Sequence, residues 1–94
     1  MEIPVTHNTS RNRFEMEIDG AAAYLEYLDH GSTVVLTHTF VPPALRGQGL
    51  AGKLTRAALD FAREKGKIVD PQCSYAASFM DQHPEYADLR EAGS

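Results

Sequence analysis

The chain is short of several things, and each shortage excludes something. It has one cysteine, Cys73, in 94 residues, so no internal disulfide can form. A reducing, cytoplasmic compartment is the expectation. No apolar run reaches the roughly 18 residues that a membrane-spanning helix needs, so no membrane partner is expected. Basic residues are outnumbered, and the net charge of −4 argues against a nucleic-acid binder with a broad basic surface. His7, His30, His38 and His83 are scattered, with no pair at metal-ligand spacing, so no metal site is expected. Repeats and low-complexity tracts are missing. Met1-Glu2-Ile3-Pro4-Val5 lacks the charged-then-apolar order of a signal peptide. What remains is 43% hydrophobic, enough for one core. The expectation is a single domain over 1–94 with its core at about 13–90.

What is present is organised around Val41-Pro42-Pro43-Ala44-Leu45-Arg46-Gly47-Gln48-Gly49-Leu50-Ala51. An apolar, β-branched run precedes it and an amphipathic helix pattern follows. Such a loop presents successive main-chain N–H groups at a helix N-terminus, where the dipole favours a phosphate. Gly47 and Gly49 keep side chains out of the way of a bulky anion, and Arg46 adds a fixed charge suited to phosphate oxygens. A Walker loop is excluded, because Leu50-Ala51 stands where Lys-Ser/Thr belongs. Gly47-Gln48-Gly49-Leu50-Ala51-Gly52 matches a dinucleotide fingerprint, with Asp70 near the expected acidic position. The strand before it, however, is preceded by hairpin signals, so the match alone is weak. The plain alternative is a strand–turn–helix junction whose glycines serve packing.

Along the chain, Met1 to Asn12 shows no sustained period and reads as a loose lead-in. Phe14, Met16 and Ile18 alternate with Arg13, Glu15 and Glu17, the period of a half-buried strand. Asp19-Gly20 suits a tight hairpin turn. Ala21 to Leu28 then returns with Ala23, Leu25 and Tyr27 on one face. Thr33 to Val41 is the third strand. Leu50, Leu54, Ala57, Ala58 and Phe61 form a helical stripe opposite Lys53, Arg56, Asp60, Arg63 and Glu64, with Gly66 as its cap. Lys67 to Asp70 is a short strand returned parallel to the third, and Ser74 to Gln82 a second helix. Pro84 to Arg90 makes at most one further turn, and Glu91-Ala92-Gly93-Ser94 is a frayed end. The fold class is α+β: a mixed four-stranded sheet, an antiparallel meander plus one parallel strand, with two main helices.

The order strand, Arg46-x-x-Gly49-x-Ala51 loop, helix, strand, helix resembles the GCN5-related N-acetyltransferases, whose Arg/Gln-x-x-Gly-x-Gly/Ala loop binds the pyrophosphate of acetyl-coenzyme A. The segments His38–Ala51, Pro71-x-Cys73-Ser74-Tyr75, and Phe79 through His83-Pro84-Glu85-Tyr86 are similar to the small single-domain proteins of the YjdJ type. That group includes short plant and animal N-acetyltransferase domain proteins. The likeness runs from about Phe14 to Leu89. It implies a minimal acyl-CoA N-acyltransferase fold in which the backbones of Phe40 and Val41 face the pantetheine arm. Amides of Arg46, Gly47, Gln48, Gly49, Leu50 and Ala51 would hold the pyrophosphate. Cys73 would lie near the cofactor sulfur, and Tyr75, Ala76 and Phe79 would line the other wall. It also implies acetyl-CoA and an unidentified amine acceptor as partners. An open sheet edge at this size gives a monomer or weak homodimer as the expected assembly. Many relatives place a glutamate on the strand before the loop as general base, yet Thr33 to Val41 holds no acidic residue. The extra helices and strands that shape the acceptor site in larger relatives are also missing.

Three candidates for the chemistry follow. Cys73 could act as an acid–base group or accept the acetyl group, given a helix N-terminus or a cation to favour its thiolate. It could equally be a small buried apolar residue. His38, the only histidine inside an expected strand, would fill the place of the missing glutamate, or be a structural, hydrogen-bonded histidine. Tyr75 could protonate the departing thiolate, or pack as a core aromatic beside Phe79. The expected function is acetyl transfer to a primary amine. The alternative is a coenzyme A-binding module with little or no turnover.

Overall fold

Alternating side chains build the sheet of the computed structural model, which describes residues 4–90. β2 (Arg13–Ile18) and β3 (Ala21–Asp29) pair antiparallel, so that Phe14, Met16, Ala23, Leu25 and Tyr27 share one buried face. Asp19 and Gly20 join them with φ of 51° and 80°, the two positive values that a twisted two-residue hairpin turn requires. β4 (Thr33–Phe40) returns antiparallel to β3 and adds Val34 and Leu36 to the same face. α1 (Leu50–Glu64) crosses that face, and β5 (Ile68–Pro71) comes back parallel to β4. α2 (Ser74–Gln82) then packs beside α1 over β4 and β5. The fold class and the meander follow the expected pattern.

The expected strand count needs correction. The lead-in contains β1 (Thr6–Asn8), which pairs antiparallel with β2 and makes the sheet five-stranded in the order β1-β2-β3-β4-β5. Three residues carry no readable period; tertiary packing holds them. His7 stands opposite Phe14 and stacks on its ring, with centroids 4.2 Å apart. It meets Phe61 edge-on at 4.7 Å and shares a 2.6 Å hydrogen bond with the Tyr27 hydroxyl. Met1–Ile3 and the expected frayed end, 91–94, lie outside the described residues.

α1 buries a wider stripe than expected: Leu50, Leu54, Thr55, Ala58, Leu59 and Ala62, with Ala57 and Phe61 half-buried at its margin. The Thr55 hydroxyl is satisfied by donating to the Ala51 carbonyl at 2.8 Å. The segment Pro84–Leu89 is a 3₁₀ helix of six residues, about two turns, longer than the single turn expected. Its buried Tyr86 pins it to α1 by donating to Asp60 at 2.8 Å and accepting from Arg56 at 3.1 Å. Arg63 adds bonds to Asp88 and to the Glu85 carbonyl.

Both helices and this segment join one core on one side of the sheet. Among the described residues no helix covers the other side, where Leu28 and Ile68 stay 49% and 39% exposed. No described helix is long and apolar enough to cross a membrane.

Candidate functional site

β4 leads into the site, and its two halves differ. Thr33 to Leu36 pair with β5, whose last partner is Pro71. Beyond Leu36 the β5 side of β4 has no strand partner, because Pro71 ends the ladder and the chain turns towards α2. The Cys73 N–H closes the base of this fork by donating to the Leu36 carbonyl at 2.8 Å. Above it opens a cavity of about 410 Å³. Its walls are Thr39 and Phe40 from β4, Val41, Leu45, Arg46, Gly47 and Gly49 from the loop, Leu50 and Ala51 from α1, and Tyr75 from α2.

The loop is shaped locally. Pro43–Leu45 forms a 3₁₀ turn anchored by buried Leu45. Gly47 and Gly49 then take φ of 83° and 75°, a region where a side chain costs about 1–2 kcal/mol. Gly49 is the N-cap of α1 and has no side chain to occupy the helix's first amides. The N–H groups of residues 47–52 have no protein acceptor among the described residues. These unused donors lie together at the positive end of α1, a combination that suits a phosphate group. Arg46 Nε donates to the Val41 carbonyl at 3.1 Å, which ties the side chain across the loop's mouth.

A β-bulge decides which side chains reach the fork. Tyr27 pairs with Leu36, yet Glu26 pairs with His38, so Thr37 is an extra residue without a partner. Strict alternation would put Leu36, His38 and Phe40 on one face. The bulge reverses the phase: Thr39 now pairs with buried Leu25 on the helix side, while His38 shares the outer face with Glu26 and lies exposed. His38 therefore does not line the cavity, and its ring lies near Tyr24, with centroids 6.2 Å apart.

Thr39 was not singled out by the sequence, because nothing local marks the bulge; Thr37 is neither glycine nor proline. Its Oγ1 lies 3.4 Å from Cys73 Sγ, so the two side chains span the fork. Cys73 is the N-cap of α2 and half-buried. Burial pushes its thiol up. The Thr39 hydroxyl, with the amides of Ala76, Tyr75 and Thr39, outweighs this and holds the pKa below the usual thiol value.

The other expected site residues divide. Phe40, Val41, Arg46, Gly47, Gly49, Leu50, Ala51 and Tyr75 gather round the cavity. Gln48 points outward but contributes its N–H to the amide array. Ala76 and Phe79 sit in the core, 0% and 8% exposed, and do not line the cavity; Cys73 is also outside its lining, next to it through Thr39. Tyr75 is 42% exposed and reaches over the start of α1, where its hydroxyl lies 3.4 Å from the position of a Cβ on Gly52.

Comparison with known proteins agrees with this fold. Residues 13–89 match the profile of a family described as GCN5-related N-acetyl-transferase. Protein NATD1 of Xenopus tropicalis is 35% identical over 86 residues, which span 87% of this chain and 78% of that protein. Its Homo sapiens counterpart is 36% identical over 85 residues, covering 87% and 75%. The NMR solution structure of a GCN5-like protein from Staphylococcus aureus superposes with a TM-score of 0.76 at 25% identity, covering 98% of this chain and 91% of that one. The chain is a member of the GCN5-related N-acetyltransferase family.

Proposed function

We propose that this protein binds acetyl-coenzyme A and transfers the acetyl group to a primary amine of a small molecule, peptide or protein. The observation that carries the reading is the conjunction of a forked sheet with an array of unused amides at the N-terminus of α1. The cofactor fits both. Amides of residues 47–52 are suited to its pyrophosphate, and a side chain at Gly47 or Gly49 would be strained there. The unpaired edge of β4 at Phe40, continued by Val41, offers main-chain groups to the amides of an extended arm, with the Val41 carbonyl shared with Arg46. When bound, the cofactor supplies an acyl thioester.

The chain's own residues supply binding and proton handling. Cys73, whose thiol pKa is held below the usual value, takes in its thiolate form the proton that the attacking amine loses as its N–C bond forms. Tyr75, at the cavity wall, donates a proton to the sulfur that leaves as the C–S bond breaks. Among the residues lining the cavity there is no carboxylate and no imidazole. That observation keeps the second reading, a coenzyme A-binding module with little turnover.

Calorimetric titration with acetyl-CoA, coenzyme A and a nicotinamide dinucleotide tests the first step. The expected result is binding of both coenzyme A forms and not the dinucleotide, lost in Gly49→Glu. No binding of either form sinks the reading. An amine panel then separates the two functions: turnover abolished in Cys73→Ala with binding retained supports the enzyme. Binding without turnover of any amine supports the module.

A further inference from the structure

We propose that Thr39 is a positioning residue whose hydroxyl holds the Cys73 sulfur and, once the thiol ionises, stabilises the thiolate by donating to it. The proposal deepens the acyltransfer reading, which gives it a consequence, but the geometry stands without any cofactor. Thr39 offers its hydroxyl, 3.4 Å from the sulfur. That contact depends on the bulge. Without the extra residue Thr37, the side chain at position 39 would turn to the outer face and the hydroxyl would be lost to the fork.

The sulfur is fixed from its own side as well. The Cys73 N–H is bonded to Leu36, one residue before the bulge, so the distance from Thr39 to Cys73 is set by the backbone at both ends. Cys73 is the N-cap residue of α2, so its side chain starts at the positive end of that helix. Among the described residues no ionised side chain is bonded to the sulfur. Asp70 on β5 is engaged by Gln72 at 3.1 Å, and Arg46 in the loop is tied to Val41. The sulfur is thus held by the Thr39 hydroxyl and by a backbone fixed to Leu36. A hydroxyl suits the task because it can accept from the thiol and donate to the thiolate, so neither protonation state leaves an unpartnered atom.

Cys73 is the only cysteine in the chain, so alkylation reports on it unambiguously. Iodoacetamide reaction rates are measured against pH for the wild type, Thr39→Val and Thr39→Ser. A lost hydrogen bond to a charged group is worth roughly a tenfold change. In Thr39→Val the alkylation midpoint therefore rises by about one pH unit, and the rate near neutrality falls about tenfold. Thr39→Ser keeps the wild-type profile. An unshifted Thr39→Val profile overturns the proposal, as does a Thr39→Ser profile displaced as far as that of Thr39→Val. Circular dichroism checks folding, and Thr39→Ala, judged by the same criterion, replaces the valine variant if that variant unfolds. Acetyl-CoA calorimetry on the same wild-type protein is a separate arm. Its failure removes the acyltransfer reading and leaves the thiol result standing.

Discussion

The first and second halves of β4 are made of similar residues and do opposite things. Val34 to Leu36 are paired with strands on both sides, and Val34 and Leu36 are fully buried. His38 to Phe40 are paired on one side only, and of the four residues Thr37 to Phe40 three are exposed. Strand propensity does not separate them, since both halves are rich in β-branched residues. What separates them is where the neighbouring strand stops. Stability is concentrated before Leu36, and accessible main-chain groups after it. Thr37 marks the change with one extra residue, which also swaps the faces.

Four substitutions or titrations test this division. The largest effect belongs to the closed half. Leu36→Ala removes a fully buried side chain and should cost about 2–5 kcal/mol in urea unfolding. A loss below about 1 kcal/mol would mean that the closed half is not the stabilising one. Gly47→Val forces a branched residue to a φ of 83° and should cost about 1–2 kcal/mol. Its acetyl-CoA affinity should fall much further, because the cradle is deformed. Unchanged affinity by calorimetry would show that the loop does not hold the cofactor.

The third test concerns pH and the far edge of the sheet. Burial lowers the His7 pKa from about 6.5. As pH falls through that ordinary value, the unfolded chain binds a proton that folded His7 resists, so stability falls until the lowered folded pKa is passed. The melting temperature should therefore drop modestly between about pH 7.5 and about pH 5.5, and much less in His7→Phe. Glu15 and Asp29, held below the usual carboxylate range by hydrogen bonds from Arg13 and Lys67 respectively, lose their contribution only at lower pH. Equal slopes in the two proteins would place the pH sensitivity elsewhere. The smallest effect is expected for His38→Ala, on the outer face of the open half. Stability and cofactor binding should both match the wild type within error, and a clear loss of binding would bring His38 back to the site.

Most of the frame was legible because it is local. Phe14-x-Met16-x-Ile18, the Asp19-Gly20 turn and the spacing Leu50, Leu54, Ala58 each state a period within a few residues. α2 could be read between Cys73 and His83-Pro84 for the same reason. The misses are long-range. β1 depends on a histidine stacking on rings seven and more residues away. Arg56 and Asp60 read as a solvated face, yet Tyr86, buried and with its hydroxyl pKa raised, first by burial and then by Asp60, bonds to both across 26 or more residues. In the site, the glycines announced the cradle. The exchange of His38 for Thr39 was silent, because a bulge alters the phase of a strand without requiring any particular residue.

The sheet that is dry on only one side has a thermal consequence. A two-layer arrangement of this size removes less apolar surface from water than one layered on both faces. Its heat capacity of unfolding should then lie near or below about 12 cal/mol/K per residue. In a chain of this length each kcal/mol moves the melting temperature by roughly 4–8 °C. A ligand at about a hundred times its dissociation constant contributes about 2.7 kcal/mol, which corresponds to roughly 10–20 °C. The melting point of this protein should thus serve as a sensitive gauge of how fully its cradle is occupied.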